Sequence, residues 1–578
     1  MTGRGTGAAV GLAVLLAAPL LAIGLGRAPP DDPGEGMHAE IARELTVSRD
    51  PFALTLNGIA YVDKPPLLYA LMAGALSLAG TSEAAARAVP ALGALGAVAA
   101  TAWLGARLLG GRGGFVAGAA LLTSAGFFAY GRYVRPETLF VAALALGFAW
   151  ALVGLRDGRR GMVVAGLAAF GAAGLAKDPL GALGPPLAIG VALGLGGRVR
   201  PVERWLPLAG VVACVALAFG WWVLAEIRTP GFAWYTIADN HVLNVLRARR
   251  FPDEDVPLSA VQFLAVAGAG ALPWVIPAAA SAVDLVRLRA WRDREGIAWV
   301  ALLVWTVGVL GLTALSPFRL PHYGLPAYPA IALLAARAWV TGRVRPLLVA
   351  HAVGFAVVAG ACALAWTSDG SVFMTRVMTA ADVAARKSAA AGQEMPLPQW
   401  ESFRALLGAT AATAGIGALV TGALAGGGGH RFHGLRRGLA VLVVVATMLG
   451  TLPSVAAALA LVATHRSVRS LALELRAAAA SGDLVAHEGP IENSGALEWY
   501  SGRRPVIVDG RKSVLGFGAT RPEARESVWE AADLRRAWES GRRVWVVTTR
   551  GPEMSLVPRL PGARLVAASE GRWLWVNR

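Results

Sequence analysis

The chain has 578 residues, of which 56% are hydrophobic and 16% charged, and its mean hydropathy is +0.54. Soluble domains average about 25% charged residues, so this composition excludes an ordinary soluble globular protein and indicates a chain that lies mostly in lipid. The formal net charge of +17 does not indicate a nucleic-acid partner, because the arginines fall mainly between apolar segments, where they orient a membrane protein.

Repeated apolar stretches of roughly 20 residues predict a polytopic α-helical membrane protein. Abundant Gly and Ala in these stretches favour close helix packing. Thirteen spans are predicted, at approximately 7–25, 84–109, 115–130, 138–155, 162–175, 179–195, 205–225, 261–280, 297–315, 324–336, 346–366, 403–424 and 439–461. The region 162–195, which is interrupted by Lys177, Asp178 and Pro179, could instead form one long re-entrant element.

Every second loop between the predicted spans is short and rich in arginine. The first of these six loops carries Arg107 and Arg112, and the last carries Arg431, Arg436 and Arg437. The positive-inside rule places all six in the cytoplasm. We therefore expect a cytoplasmic N-terminus, and a first outer loop at 27–83 that faces the periplasm.

The composition changes after about residue 464, where long apolar runs give way to short strand-like runs at 504–508, 543–548 and 573–576. A helical stretch at 523–539 lies between them. This pattern predicts a small soluble α/β domain. We expect a transmembrane domain at 1–463 and a periplasmic domain at 464–578.

Ionisable residues gather on the predicted outer side, at or near the ends of spans. Charged groups near the bilayer are suspected of function, although each could be an ordinary interfacial loop charge. A carboxylate can serve as general base, and lysine or arginine can hold a departing phosphate. The gathered residues are Glu35, Asp63, Lys64, Glu137, Lys177, Asp178, Asp239, His241, Arg319 and His322.

Several motifs resemble those of the GT-C family that includes the aminoarabinose transferase of lipid A and the protein O-mannosyltransferases. In the first outer loop, 38–44 reads HAEIARE and 62–66 reads VDKPP. Further along, 135–139 reads RPETL, 174–179 reads GLAKDP and 316–329 reads SPFRLPHYGLPAYP. The first-loop composite, about 40 residues long, is the most specific part of the resemblance.

The resemblance implies an inverting transfer of a hexosyl or pentosyl group from a polyprenyl-phosphate carrier. The acceptor would be lipid A, a glycan or a protein, and the reaction would occur at the periplasmic face of a bacterial inner membrane. It implies catalytic roles for Glu35 and Glu137, and phosphate-binding roles for Lys64, Lys177, Arg319 and His322. Supporting roles fall to Asp63, Asp178, Asp239 and His241.

The chain departs from the family pattern at Gly34, where the family usually has an aspartate, and at Met37, which replaces a frequent arginine. Three readings stay open: Glu35 acts alone, Asp31 or Asp32 replaces the missing carboxylate, or the acceptor differs.

No cofactor and no metal site are predicted, since the sequence has no helix-spaced His pair, although the carboxylates around His241 leave a divalent metal as an alternative. A transporter or lipid flippase is the alternative function. It would place polar residues at the bilayer midplane, in broken helices of two related halves. The sequence has no evident half-to-half symmetry, and its charges gather on one face.

Overall fold

The computed structural model describes residues 3–390, 396–427, 433–569 and 571–578. Long helices occupy the chain up to Arg466, and all but one short pair of the strands follow that point. The α-helices are α1 Gly3–Ala22, α2 Glu35–Ser48, α3 Leu67–Ala79, α4 Glu83–Leu109, α5 Gly111–Leu122, α6 Ala125–Tyr130, α7 Glu137–Asp157, α8 Arg160–Ala176, α9 Leu180–Leu195, α10 Leu208–Arg228, α11 Ala260–Gly270, α12 Val275–Arg287, α13 Gly296–Leu315, α14 Tyr328–Thr341, α15 Val344–Thr367, α16 Thr379–Ala381, α17 Val383–Ala390, α18 Trp400–Gly426, α19 His433–Arg466, α20 Arg469–Ala478, α21 Leu497–Ser501 and α22 Ala531–Glu539. The strands are β1 Thr55–Leu56, β2 Ile59–Ala60, β3 Leu484–Glu488, β4 Val506–Val508, β5 Val528–Trp529, β6 Val544–Thr548, β7 Arg564–Ser569 and β8 Arg572–Val576.

Eight helices in the described part of the chain are long and apolar enough to cross a membrane. They are α1, α4, α7, α10, α13, α15, α18 and the run Arg437–Ala478 that contains most of α19; the pair α11 and α12, bent by 104°, would be a ninth. The predicted class of polytopic helical membrane protein is confirmed. The number thirteen stays a prediction, because several predicted spans are shorter helices here, such as α8 and α9. Arg431, in the last predicted basic loop, lies outside the described residues.

Small residues allow the helices of the bundle to approach closely. A Cβ on Gly105 in α4 would lie 2.9 Å from the Ala117 side chain in α5, and one on Gly147 in α7 would lie 2.4 Å from the Phe170 ring in α8. Glycine at such contacts lets backbones meet without a clash. This packing fixes the ends of α7 and α8, where site residues lie.

The loop between α1 and α4 contains α2, a two-stranded hairpin and α3. Strands β1 and β2 pair in the register Thr55↔Ala60, and the turn residues Asn57 and Gly58 both have positive φ, as a tight hairpin turn requires. One face of the loop is buried in a hydrophobic cluster shared with the C-terminal sheet region, which includes Ile41 from the loop and Ile491 from the sheet region.

The C-terminal region carries a six-stranded sheet in the order β5-β4-β3-β6-β8-β7. The first four strands in this order are parallel, and β8 and β7 complete the sheet with antiparallel pairing. The segment that follows β3 reaches the loop between α1 and α4, where Asp32 accepts a hydrogen bond from the backbone N–H of Ala496 (3.1 Å). Asp32 also accepts one from the backbone N–H of Val468 (3.0 Å), which lies between α19 and α20. Burial raises the pKa of Asp32 to about 6. The sheet region is therefore held directly against the first loop.

Candidate active site

A cavity of about 1540 Å³ lies where the first loop, the helix ends and the sheet region meet. One side is apolar and is formed by Leu187 and Val191 of α9 together with Val304 and Leu312 of α13. The other sides carry charged groups, and the sheet region contributes Glu492. The cavity is thus amphipathic.

Glu137 is the centre of a buried ionic network at one end of the cavity. It begins α7 and is 3% exposed. Its carboxylate lies 3.2 Å from Lys177 Nζ, 3.4 Å from His322 Nε2 and 3.6 Å from Arg135 Nε. Glu137 itself is not among the described residues that line the cavity, whereas these three partners are. It lies behind them and fixes their positions.

Two of the cavity-lining groups at this end are placed by turns next to helices. Lys177 follows α8, and its ammonium lies 5.1 Å from the Tyr323 ring centroid. His322 lies in the 3-10 turn Pro321–Ala327, and its Nδ1 has no hydrogen-bond partner among the described residues. Burial, reinforced by the Arg135 guanidinium, holds the pKa of His322 well below its usual range. The imidazole is therefore neutral.

Lys64 lines the same end of the cavity and forms an ion pair with Asp63. Burial acts to raise the pKa of Asp63, but the adjacent Lys64 ammonium outweighs it and the pKa is lowered. Asn240 Nδ2 lies 3.4 Å from Asp63 Oδ1. We call Lys64, Arg135, Lys177 and His322 the basic wall.

Asp178 and His241 also line the cavity, beside the basic wall. Asp178 accepts a hydrogen bond of 2.7 Å from the Leu180 backbone N–H at the start of α9. His241 lies in the π-helical turn Trp234–Leu243, with its Nε2 3.9 Å from Asp178 Oδ2 and its Nδ1 2.5 Å from the Thr236 carbonyl oxygen. The nearby Asp178 carboxylate raises the pKa of His241.

Glu35 does not occupy the position expected of a group at the reaction centre. It is 1% exposed and is not among the described residues that line the cavity. Its carboxylate accepts hydrogen bonds from Arg87 Nε (2.8 Å), the Val134 backbone N–H (2.9 Å) and the Asp31 backbone N–H (3.1 Å). The sequence motif located an important carboxylate, but its contacts hold the first loop onto α4 and the loop after α6.

Arg319 and Asp239 are likewise not among the described cavity-lining residues. The Arg319 guanidinium donates to the carbonyl oxygens of Leu258 (2.7 Å), Ala314 (3.2 Å) and Ser316, so it holds two loops together. Asp239 is fully buried and accepts from the Arg250 backbone N–H at 2.5 Å. The structure therefore does not bring these two predicted site residues to the basic wall.

A second charged group faces the cavity from another direction. Arg466, the last residue of α19, makes a bidentate ion pair with Asp31 and a second one with Asp382 (2.8 and 2.9 Å). Asp31 also accepts a hydrogen bond from the Tyr133 hydroxyl. Asp31, Arg466 and Asp382 all line the cavity, and we call them the Arg466 triad.

Comparison with known proteins adds to this geometry. Residues 63–222 match a family model described as dolichyl-phosphate-mannose-protein mannosyltransferase. An undecaprenyl phosphate-alpha-4-amino-4-deoxy-L-arabinose arabinosyl transferase of Sodalis glossinidius is 30% identical over 53% of this chain and 55% of its own length. One of Erwinia tasmaniensis is 27% identical over 53% and 54%. The chain thus spans about half the length of the curated relatives it matches.

The crystal structure of ArnT from Cupriavidus metallidurans bound to undecaprenyl phosphate is similar over almost the whole chain. The TM-score is 0.79 at 23% identity, with 98% of each chain covered. Its apo form gives 0.80 at 22% identity, with the same coverage. The fold is that of the GT-C transferases. The resemblance predicted from the loop motifs is confirmed.

Within this GT-C fold, sequence reasoning missed the Arg466 triad and the role of Arg135. Arg135 stands two residues before Glu137 in a motif already recognised, so its proximity was a usable signal. Arg466 and Asp382 lie 84 residues apart, and Arg466 lies 435 residues from Asp31, so no local pattern links the three.

In the described part of the chain, three acidic side chains close enough to share a cation occur at Glu40, Glu44 and Glu498. Arg43 already lies 2.6 Å from Glu40 and 2.7 Å from Glu498, which neutralises much of that charge. The group is not among the described lining residues of the cavity. The expectation of no metal and no cofactor stays a prediction.

Proposed function

We propose that this chain is a glycosyltransferase that moves a sugar from a polyprenyl-phosphate carrier to an acceptor. The observation that carries the proposal is the amphipathic cavity, in which the basic wall adjoins an apolar side. A polyprenyl phosphate has an apolar tail and an anionic head, so it needs both surfaces next to each other. The names of the curated relatives and the bound lipid of the similar GT-C structure support the same carrier class.

The positions of the basic-wall residues in the cavity suggest a role for each of them. Lys64 and Lys177 would bind the carrier phosphate and stabilise the charge that develops on it as the sugar leaves. Glu137 would hold Lys177 and His322 in place from behind. The neutral His322 can donate a hydrogen bond to the phosphate without adding a buried charge. We propose direct displacement at the anomeric carbon with inversion, because the chain offers a leaving-group site without requiring a second chemical step.

We propose that the N-terminus is cytoplasmic and that the cavity and the C-terminal sheet region face the periplasm of a bacterial inner membrane. The positive-inside pattern of the short loops supports this orientation. We further propose residues 1–463 as the membrane-embedded catalytic part and residues 464–578 as the periplasmic domain. A transporter or flippase is not favoured, since the similar proteins are transferases.

The test compares Lys177→Met and Lys64→Met with Lys512→Met, a matched change at an exposed lysine of the sheet region. Purified full-length protein in detergent is titrated with undecaprenyl phosphate, and membranes are assayed for its release from a panel of undecaprenyl-phosphate sugars with envelope extract as acceptor source. We expect both basic-wall variants to bind the carrier at least tenfold more weakly, and Lys512→Met to match wild type within twofold.

Two results would count against the proposal. A wild-type protein that neither binds undecaprenyl phosphate nor releases it from any donor would contradict carrier binding. Flux of the lipid across reconstituted vesicles without sugar transfer would indicate a flippase instead. The two lysine variants guard against a folding artefact, because Lys64 pairs with the partly exposed Asp63 whereas Lys177 pairs with the buried Glu137.

A further inference from the structure

Position 34 has no room for a side chain. A Cβ added to Gly34 would lie 1.8 Å from the Tyr133 hydroxyl oxygen and 2.8 Å from its Cζ. The backbone there is right-handed helical, with φ −77° and ψ −61°, so a conformational need does not explain the glycine. Position 34 is a glycine because the Tyr133 side chain occupies the volume that a Cβ would need.

Tyr133 uses that space to donate its hydroxyl hydrogen bond to Asp31, three residues upstream of Gly34. Of the three carboxylates at 31–35, Asp31 alone is among the described residues that line the cavity. Asp32 accepts backbone hydrogen bonds from the sheet region, and Glu35 is bound by Arg87. The first loop therefore presents the carboxylate of Asp31 to the cavity, whereas position 34, a glycine, has no carboxylate to present.

Asp31 is held firmly while it faces the cavity. It is 1% exposed, and Arg466 binds both of its oxygens. The same guanidinium binds both oxygens of Asp382. Burial raises the pKa of Asp31 even though the Arg466 charge acts to lower it, so the carboxylate has more affinity for a proton than an exposed aspartate.

A short path of side chains connects Asp31 to the basic wall. The Tyr133 ring lies 6.2 Å from the Tyr130 ring, and the Tyr130 ring lies 5.9 Å from the His322 ring, measured between centroids. Tyr130 and Tyr133 both line the cavity. A donor whose phosphate binds at the basic wall would therefore direct its sugar along these rings toward the Arg466 triad.

We infer, on the basis of the proposed function, that Asp31 is the general base of the reaction and that the acceptor presents a neutral hydroxyl group. The acceptor oxygen attacks the anomeric carbon and forms the new glycosidic bond, while its proton passes to the Asp31 carboxylate. The bond between the anomeric carbon and the phosphate oxygen breaks, and its electron pair leaves with the polyprenyl phosphate. Asp31 then returns its proton to water or to the departing phosphate.

The charge of the triad determines the acceptor class. Two carboxylates and one guanidinium carry a formal charge of −1, and they line the cavity where the acceptor would approach. An anionic phosphate oxygen would be repelled there and would need no base. A hydroxyl is not repelled, and it gains most from a carboxylate that can take its proton.

The experiment compares Asp31→Asn with Asp382→Asn and with Asp50→Asn, a matched change in the same loop at a residue that pairs with Arg228 on the surface. We expect Asp31→Asn to lower sugar transfer at least 100-fold while its affinity for undecaprenyl phosphate stays within threefold of wild type. Asp50→Asn should keep wild-type transfer. Asp382→Asn should lose no more than tenfold, because it removes a partner of Arg466 and not the base.

Transfer by Asp31→Asn within threefold of wild type would overturn the inference. An equal loss in Asp31→Asn and Asp382→Asn would also overturn it, since Asp31 would then only position Arg466. A wild type without carrier binding or turnover would instead overturn the proposed function, and this inference with it.

The acceptor class is tested with a lipid extract of the bacterial envelope, assayed before and after phosphatase removes its phosphomonoesters. We expect the wild-type protein to keep at least half of its transfer after phosphatase treatment, because hydroxyl acceptors survive it. Loss of transfer after the treatment would overturn the hydroxyl acceptor, and with it the need for a base at Asp31.

Discussion

The basic wall and the Arg466 triad face the same cavity but are built in opposite ways. In the basic wall, Lys177 and Arg135 lie on the single carboxylate of Glu137 together with the neutral His322, so two cations face one anion there. In the triad, two carboxylates share one guanidinium. A departing phosphate needs the first kind of surface, and an incoming neutral nucleophile needs the second. The difference agrees with the proposal that the phosphate leaves at the basic wall and the acceptor enters at the triad.

The two groups also differ in what they connect. The basic wall joins the ends of membrane helices, because Glu137 begins α7 and Lys177 follows α8. The triad joins the first loop to the end of α19 and to the loop between α15 and α18. Apart from Lys64, which lies in the first loop, the basic wall is therefore part of the helical bundle, whereas the triad depends on loops that must be docked correctly.

The largest effect is expected when the triad loses its only guanidinium. Arg466→Met leaves the buried Asp31 and the partly buried Asp382 without their shared cation, and loss of one partner of a buried ion pair costs about 3–5 kcal/mol. We expect a large drop in melting temperature, measured by size-exclusion chromatography after heating. Arg469→Met, three residues later at an exposed arginine, is the control.

A triple variant tests whether the loss of stability comes from the two unpaired carboxylates. Adding Asp31→Asn and Asp382→Asn to Arg466→Met removes the uncompensated charges and should restore much of the lost melting temperature. If the triple variant were less stable than Arg466→Met alone, uncompensated carboxylate charge would not be what destabilises Arg466→Met, and the contrast with the basic wall would fail.

The basic wall could be predicted from the sequence far better than the triad could. Lys64, Glu137, Lys177 and His322 lie in short motifs with Pro or Gly at helix ends, and local spacing is enough to place them at a common face. The fold class followed from hydropathy for the same reason. The triad depends on docking of the first loop against the end of α19 and the loop between α15 and α18, and on Tyr133 filling the space at Gly34. These are tertiary contacts without a local sequence signal.

A middle-sized effect is expected at Gly34. Gly34→Ala places a methyl group against the Tyr133 hydroxyl, and overpacking of this kind costs about 1–3 kcal/mol. It should also displace Asp31 and lower sugar transfer at least tenfold. In a Tyr133→Phe background the closest oxygen is gone, so Gly34→Ala should lower the melting temperature by less than it does in wild type. An equal drop in both backgrounds would show that the Tyr133 hydroxyl is not what excludes a side chain at position 34.

The smallest effect on carrier binding is expected at Arg319, which the sequence placed with the basic wall and whose guanidinium instead donates to backbone carbonyls. Arg319→Gln removes hydrogen bonds worth about 0.5–1.5 kcal/mol each. The melting temperature should fall by a few degrees, while affinity for undecaprenyl phosphate stays within twofold of wild type.

Arg135→Gln, a matched change within the basic wall, should weaken carrier binding at least fivefold, because it removes a cation that lines the cavity beside Lys177 and His322. A much larger loss of carrier affinity in Arg135→Gln than in Arg319→Gln would show that the carrier phosphate contacts Arg135 and not Arg319. If Arg319→Gln cost tenfold in affinity without a change in melting temperature, the guanidinium would have to leave its carbonyl partners when the carrier binds. The basic wall would then extend to the loop that Arg319 now ties down, and the division of the cavity by charge would be completed only in the presence of the lipid.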